Sequence, residues 1–362
     1  MTTHFRLRTI ALATTATVAL AGCSLLGSDD ETKSDEVKRG ESLEGTTVVL
    51  ATHESFALPE ELIASFKEKT GITLKVRPSG DAGELSTKLV LSKSKPFADV
   101  AFGIDNTFAT RAVSEGVFAA YEPKLPAGAE SLELDGDAAD VLTPIDHASV
   151  CVNVDDAWFA KNDRLAPQNL DDLADPAFKD LLILPGATTS SPGLAFLLAT
   201  IAEYGEDGWV DYWTRLMDNG AKLADGWTEA YSAGFTGAGK GDRPIVVSYD
   251  TSPAFTLDEK SGDSTTSALL NTCFRQVEYA GVLTNAKNPG AAEKVVDFLL
   301  SPEVQAVIPE NMYVFPADSE VRLPTEWAKF AKPAADPLVV SADDIDEHRQ
   351  AWLTEWTDVV TR

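Results

Sequence analysis

Thr47-Val48-Val49-Leu50-Ala51-Thr52 is followed by the polar turn His53-Glu54-Ser55-Phe56, a helical run over 59–70, the stop Gly71 and a second β-rich run over 72–76. Strand, helix and strand in succession form a βαβ unit, and a βαβ unit implies a parallel sheet. The pattern continues with a helix over 82–92 and a third strand at Ala98-Asp99-Val100-Ala101-Phe102. That strand turns through Gly103-Ile104-Asp105-Asn106 into a helix ending near Glu115 and Gly116. His53 and Glu54 from one strand end, Asp105 and Asn106 from another, thus reach the same carboxyl edge, where open α/β sheets bind ligands.

Outward from this unit, residues 141–153 read as one long extended segment, after which the α/β pattern restarts. Residues 169–176 form a short helix and turn, and 181–184 a strand. Thr188-Thr189-Ser190-Ser191-Pro192-Gly193 then opens an apolar helix to Tyr204. Hydroxyls and free N–H groups at a helix start suit an anion or a polar ligand, although an ordinary capped terminus is the plainer reading. Gln276-Val277-Glu278-Tyr279-Ala280-Gly281-Val282 mirrors the earlier extended segment and reads as a second crossing. Helices over 288–300 and 301–308, a loop over 310–316 and an amphipathic helix over 346–360 complete the chain. The last places Ala351, Trp352, Trp356 and Val359 on one face, with the tryptophans read as packing groups.

The densest chemistry lies in residues 225–255, where Trp227, Tyr231, Tyr249 and Phe255 are interleaved with Glu229, Ser248, Asp250, Thr251 and Ser252. Rings among carboxylates and hydroxyls suit a flat, polar, cationic ligand. Ile245-Val246-Val247-Ser248-Tyr249 reads as a strand ending at the carboxyl edge, and Asp250 as a helix N-cap ahead of Pro253. The alternative is that these rings are core. Trp227 is the least core-like, since Gly226, Asp225 and Thr228 surround it.

Arg6 and Arg8, a short apolar run and Leu20-Ala21-Gly22-Cys23 read as an export signal over 1–22. The last four residues resemble a bacterial lipobox, in which the cysteine, Cys23 here, carries the lipid. Residues 23–46 are acidic, glycine-containing and poor in large apolar side chains, the composition of a tether. Fifty-seven acidic residues against 30 basic ones give a net charge of −27. That balance argues against nucleic acid and mildly favours cationic ligands. With Cys23 assigned to lipid, Cys151 and Cys273 are a natural disulfide pair in an exported chain, two free buried thiols being the alternative. The four histidines, at positions 4, 53, 147 and 348, fall in separate segments, and no nucleophile or metal-protease motif is present, so neither enzyme nor metal site is expected.

An exported, tethered α/β chain that crosses twice between two lobes has the pattern of a solute-binding protein. Across almost all of 47–362 it resembles the periplasmic thiamine-binding protein family, the receptor component of thiamine ABC importers. The stretches that carry the likeness include Thr52-His53-Glu54-Ser55-Phe56, Gly103-Ile104-Asp105-Asn106, Thr189-Ser190-Ser191-Pro192-Gly193, Gly226-Trp227-Thr228-Glu229-Ala230-Tyr231, Ser248-Tyr249-Asp250-Thr251-Ser252-Pro253-Ala254-Phe255 and Arg349-Gln350-Ala351-Trp352. The resemblance implies a two-lobed type II periplasmic binding protein fold. Lobe 1 is expected at 47–146 plus 278–362, and lobe 2 at 147–277. It implies thiamine or its phosphates as ligand and no cofactor. It further implies permease and ATPase partners, a monomer, and a place on the outer face of the bacterial cytoplasmic membrane. The family's ligand positions fall on His53, Asp105, Ser190, Trp227, Tyr249, Phe255 and Tyr313. Three depart from its pattern, since tyrosine is usual at His53 and Phe255 and tryptophan at Tyr313. Sibling proteins for ferric iron, a polyamine or an organophosphonate are the competing expectation.

Overall fold

The computed structural model describes residues 43–362. The expectations for residues 1–42, lipidation of Cys23 among them, lie outside the described residues.

Nine strands form one mixed sheet in the described residues: β1 Thr47–Thr52, β2 Thr73–Pro78, β3 Val100–Asp105, β4 Thr143–Asp155, β5 Leu182–Pro185, β6 Lys222–Ala224, β7 Ile245–Tyr249, β8 Thr266–Val282 and β9 Phe315–Pro316. Their order is β2-β1-β3-β8-β4-β7-β5-β6, with β9 beside β4. The parallel trio β2-β1-β3 meets β8 antiparallel, and the parallel trio β6-β5-β7 meets β4 antiparallel. Each half of the sheet therefore repeats one plan, β2-β1-β3-β8-β4 and β6-β5-β7-β4-β8. The carboxyl ends of both trios point toward the middle, where β4 and β8 pass from one half to the other.

The two crossing strands are the longest, at 13 and 17 residues, which at about 3.3 Å per residue is enough to serve both halves. Their mutual register shifts between Pro144 and Asp146 and again between Val150 and Val152. A disulfide joins Cys151 to Cys273 at the second shift, tying the crossings together where their ladder is interrupted.

The helices follow from local chemistry. Glu60–Thr70 carries Glu60 and Glu61 in its first turn and Lys67 and Lys69 in its last, each sign matching the helix dipole. Gly71, at φ 72°, ends it by donating its N–H to the Lys67 carbonyl, a left-handed cap that disfavours any residue with a Cβ. Asp81 caps the helix Ala82–Ser92 by accepting from the Ala82 N–H at 2.7 Å. The helix Ser191–Tyr204 is buried all round from Leu194 to Ala199, as a uniformly apolar helix must be.

The C-terminal helix Ala342–Val360 turns Ile345, Arg349, Trp352, Leu353, Trp356 and Val359 inward. Trp356 packs edge-on against the buried Trp213, with centroids 5.6 Å apart, and Trp352 donates its indole N–H to the Glu206 carboxylate. Ala351, expected on this face, is exposed. Leu353 takes its place because the helical period of 3.6 carries the stripe from Arg349 to Trp352 and Leu353.

Candidate functional site

Just beyond β6 the chain makes a π-helical turn over Glu229–Gly234, a wide geometry often found at ligand sites. Trp227 and Tyr231, four residues apart on this helical segment, share a face and stack with centroids 5.1 Å apart and planes 13° apart. The Trp227 indole donates to Ser248 Oγ at 2.9 Å, and Ser248 is hydrogen-bonded in turn to Ser252. This polar chain fixes the plane of the indole. Tyr249 lies tilted beside Trp227 at 6.0 Å.

A second wall faces this pair. Phe255 meets Tyr313 edge-on at 4.2 Å and is held from its other side by the buried Trp327 at 5.2 Å. Tyr313 has φ 64°, a left-handed conformation that costs a residue with a side chain about 1–2 kcal/mol. Its carbonyl accepts from Thr251 Oγ1 at 2.6 Å, which fixes the turn and leaves the residue 40% exposed. Trp227, Tyr231, Ser252, Phe255, Thr256 and Tyr313 line a cavity of about 310 Å³. Of the seven residues expected from the sequence, Trp227, Phe255 and Tyr313 meet in it.

His53, Asp105 and Ser190 lie elsewhere: Asp105 is buried at the end of β3, Ser190 is buried at the start of the helix Ser191–Tyr204, and His53 is half-buried just after β1. The register places Asp105 of β3 opposite Glu278 of β8, and Glu278 opposite Asp146 of β4, so three carboxyl groups form one row. Asp105 accepts from the Thr107 hydroxyl at 2.7 Å and from the Thr107 and Phe108 N–H groups, with the Ser191 hydroxyl beside it. Burial outweighs these donors and pushes Asp105 up to about 6. Burial, and then the charge and hydrogen bond of Glu278 opposite it, raise the pKa of Asp146 well above its ordinary value. His53 accepts from the Ser55 N–H on Nδ1, which leaves the proton on Nε2, 3.5 Å from Glu278. Burial works against charging that ring, but Glu278 outweighs it and His53 is raised. Conversely, His53 overcomes the burial of Glu278 and holds it ionised.

Ser190 stands at the N-cap position of its helix without capping it, and its hydroxyl is buried and unpartnered, while the Ser191 hydroxyl interacts with Asp105. Tyr249 connects the two groups of residues. Its ring touches Trp227, while its hydroxyl lies near Gln276, with Glu278, Asp81 and Asp105 in electrostatic range.

Three hydrogen bonds join the β1–β3 half of the sheet to the β5–β7 half across the carboxyl edges. The Trp227 N–H donates to Asp81 Oδ2 at 3.1 Å, the Gly83 N–H donates to the Thr189 carbonyl at 2.9 Å, and the Ser55 and Thr228 hydroxyls meet at 3.1 Å. A Cβ on Gly83 would lie 2.6 Å from the Thr188 carbonyl oxygen, so glycine is what allows this approach. The halves are closed on each other.

Asp250, expected as an N-cap, accepts instead from the Ser149 and Ala334 N–H groups. Only a 3₁₀ turn, Ser252–Phe255, follows it, because Pro253 and the return of the chain to β8 leave no room for a longer helix. Tyr231 was absent from the expected ligand set, although its i+4 spacing from Trp227 was available in the sequence. Asp81, Asp146 and Glu278 join the site through register and closure rather than through a local motif. Among the described residues no group of His, Cys, Asp and Glu could hold a metal ion, and no helix is long and apolar enough to cross a membrane.

Residues 95–348 match the family model of bacterial extracellular solute-binding proteins. The thiamine-binding periplasmic protein of Escherichia coli (strain K12) is 30% identical over 317 residues, covering 86% of this chain and 92% of the relative. That of Brucella suis biovar 1 (strain 1330) is 30% identical over 328 residues, covering 87% and 92%. A solved periplasmic thiamin binding protein superposes with a TM-score of 0.75 at 29% identity, covering 90% of this chain and 99% of that one. Its two-lobed type II architecture is the one described above, with β4 and β8 as the crossings. The chain belongs to the bacterial extracellular solute-binding proteins, in the family of the periplasmic thiamine-binding proteins.

Proposed function

We propose that this protein captures thiamine outside the cytoplasmic membrane and delivers it, chemically unchanged, to an ABC importer. The observation that carries the reading is the cavity with Trp227 and Tyr231 on one wall and Phe255 and Tyr313 on the other. Its volume of about 310 Å³ is at the small end of ligand pockets. Thiamine presents an aminopyrimidine that stacks on rings and a thiazolium cation. An aromatic face attracts such a cation by about 0.5–2 kcal/mol, the upper value applying once water is excluded.

The two sheet halves act as the lobes, 47–146 with 278–362 and 147–277. The ligand-bound state is the closed one, because only that state offers contacts from both lobes together. Asp105, outside that cavity, offsets the cation from a distance, with Tyr249 between it and the rings. Ser190, with a free hydroxyl at a helix start, receives the hydroxyethyl end or its phosphate. Phe255 and Tyr313 keep the pocket aromatic where the family carries tyrosine and tryptophan. One fewer hydroxyl at Phe255 places recognition on stacking.

Cys23 anchors the chain by lipid, and the protein works as a monomer beside the permease and its ATPase. Cys23→Ser would then release the chain from membrane fractions. Calorimetry of the purified protein against thiamine, its phosphates, spermidine, an organophosphonate and ferric ion tests the ligand. Heat with thiamine at micromolar concentration is expected. Saturation by spermidine, the phosphonate or ferric ion without any response to thiamine would replace the reading by one of the siblings.

A further inference from the structure

Away from the aromatic cavity, Arg111 and Arg349 face a second cavity of about 350 Å³. Arg349 comes from the stretch Arg349-Gln350-Ala351-Trp352, which the thiamine site does not use. Its side chain is only 9% exposed, its guanidinium lies 4.6 Å over the Phe108 ring, and its Nε is buried without a hydrogen-bond partner. Among the described residues neither Arg349 nor Arg111 makes an ion pair within 4.0 Å. The two cations also repel each other. Burial and Arg111 together push Arg349 down to about 10, still charged at neutral pH.

A buried, unpaired guanidinium next to a second one is costly unless something negative joins them. Asp358, the carboxylate that lines this cavity, pairs with neither arginine, and Asp105 attracts Arg349 without forming an ion pair. Thr87 and Thr188 add hydroxyls to the lining, whereas those of Thr354 and Thr357 donate to carbonyls of their own helix. Two planar forks of N–H donors with the Thr87 and Thr188 hydroxyls make a donor set for a tetrahedral oxyanion. In a chain of net charge −27 such a concentration of unpaired positive charge is not a by-product of composition.

We propose that this cavity is a binding site for a small oxyanion of the phosphate or sulfate class, separate from the thiamine site. It is assembled from three places: Thr87 and Arg111 beside β1–β3, Thr188 in the loop after β5, and Arg349 on the C-terminal helix. The anion therefore bridges the two halves of the sheet and favours their closure. The inference rests on the unpaired arginines and not on the identity of the ligand in the aromatic cavity.

The test is thermal unfolding and calorimetry of the purified protein with inorganic phosphate and with sulfate, against sodium chloride at equal ionic strength. Phosphate or sulfate is expected to raise the melting temperature beyond chloride. Arg349→Gln and, independently, the exposed Arg111→Gln should each weaken oxyanion binding at least tenfold. Arg111→Gln keeps the test decisive if the buried variant folds poorly. Equal stabilisation by chloride, or a phosphate response retained in Arg111→Gln and Arg349→Gln, overturns the proposal. Binding to phosphatidylglycerol vesicles that depends on both arginines, with no response to free phosphate, would assign the site to a lipid headgroup and overturn the free-ion reading.

Discussion

Gly83→Ala separates closure from folding. Gly83 is the second residue of the helix Ala82–Ser92, where alanine is favoured over glycine by about 0.8–1.0 kcal/mol. In the closed structure the new methyl carbon would sit 2.6 Å from the Thr188 carbonyl oxygen and 2.7 Å from that of Thr189. Ordinary contact begins at about 3.4 Å, so the halves must part by several tenths of an ångström. Both clashing atoms are backbone and cannot rotate away. Parting stretches the Gly83–Thr189 hydrogen bond, worth about 0.5–1.5 kcal/mol, and loosens the Asp81–Trp227 bond beside it. With overpacking at about 1–3 kcal/mol, the closed state loses about 1–3 kcal/mol relative to the open one, a 5- to 150-fold rise in the thiamine dissociation constant. The open state escapes the clash and keeps the helix gain, so the ligand-free variant should melt no lower than the parent. Calorimetric titration and ligand-free thermal unfolding on the same preparation measure both. Unaltered affinity with a lowered melting temperature would refute the reasoning, because the contact would then belong to folding and not to capture.

Trp227→Ala removes one wall of the cavity and should weaken thiamine binding by about 1–3 kcal/mol with little loss of stability. A fall of about 3–5 kcal/mol in stability with unchanged affinity would make Trp227 a core residue instead. Asp105 and Asp250 are each raised to about 6, and such carboxyls lend stability that is complete below their unfolded value and lost as pH rises through about 6. His147, lowered to about 4 by burial, opposes them up to its ordinary value near 6.5, so the net fall of the ligand-free melting temperature is expected above about pH 6.5, where the raised His53 loses its proton. Thiamine affinity should move oppositely, weakening below pH 6 as Asp105 is neutralised. A pH profile of affinity identical in Asp105→Asn would show that Asp105 plays no part. The Cys151–Cys273 bond spans 122 residues, and chain entropy puts its contribution at about 4–5 kcal/mol. Unreduced protein should be lighter than reduced protein by two hydrogens and melt higher; two freely alkylated thiols in the native protein would contradict the bond.

The parallel trio β1–β3 was legible because each strand is a short β-branched run separated by a helix with ordinary start and stop residues. The crossings were legible only in part. Residues 141–153 were read nearly in full, but β8 was expected from Gln276 and begins at Thr266, since Thr266-Ser267-Ala268-Leu269-Leu270-Asn271-Thr272 lacks clean alternation. The helix Trp209–Asp218 went unread, although Trp209, Tyr212, Trp213 and Leu216 fall at helical spacing and are all buried. At the site, Trp227, Phe255 and Tyr313 came from aromatic clustering and family likeness. The row Asp105, Glu278 and Asp146 could not be read locally, because it exists only through the pairing of β3, β8 and β4. The bonds from Asp81 to Trp227 and from Gly83 to Thr189 belong to closure, which no local pattern encodes.

The central claim is that a cationic aromatic ligand lies between the Trp227–Tyr231 wall and the Phe255–Tyr313 wall while the two halves are closed. A crystal structure of the protein with thiamine tests it most directly. Thiamine should lie in that cavity, its rings against these side chains, with the Gly83–Thr189 and Asp81–Trp227 hydrogen bonds intact. Thiamine bound elsewhere, or bound there with the halves apart and both bonds broken, would contradict it.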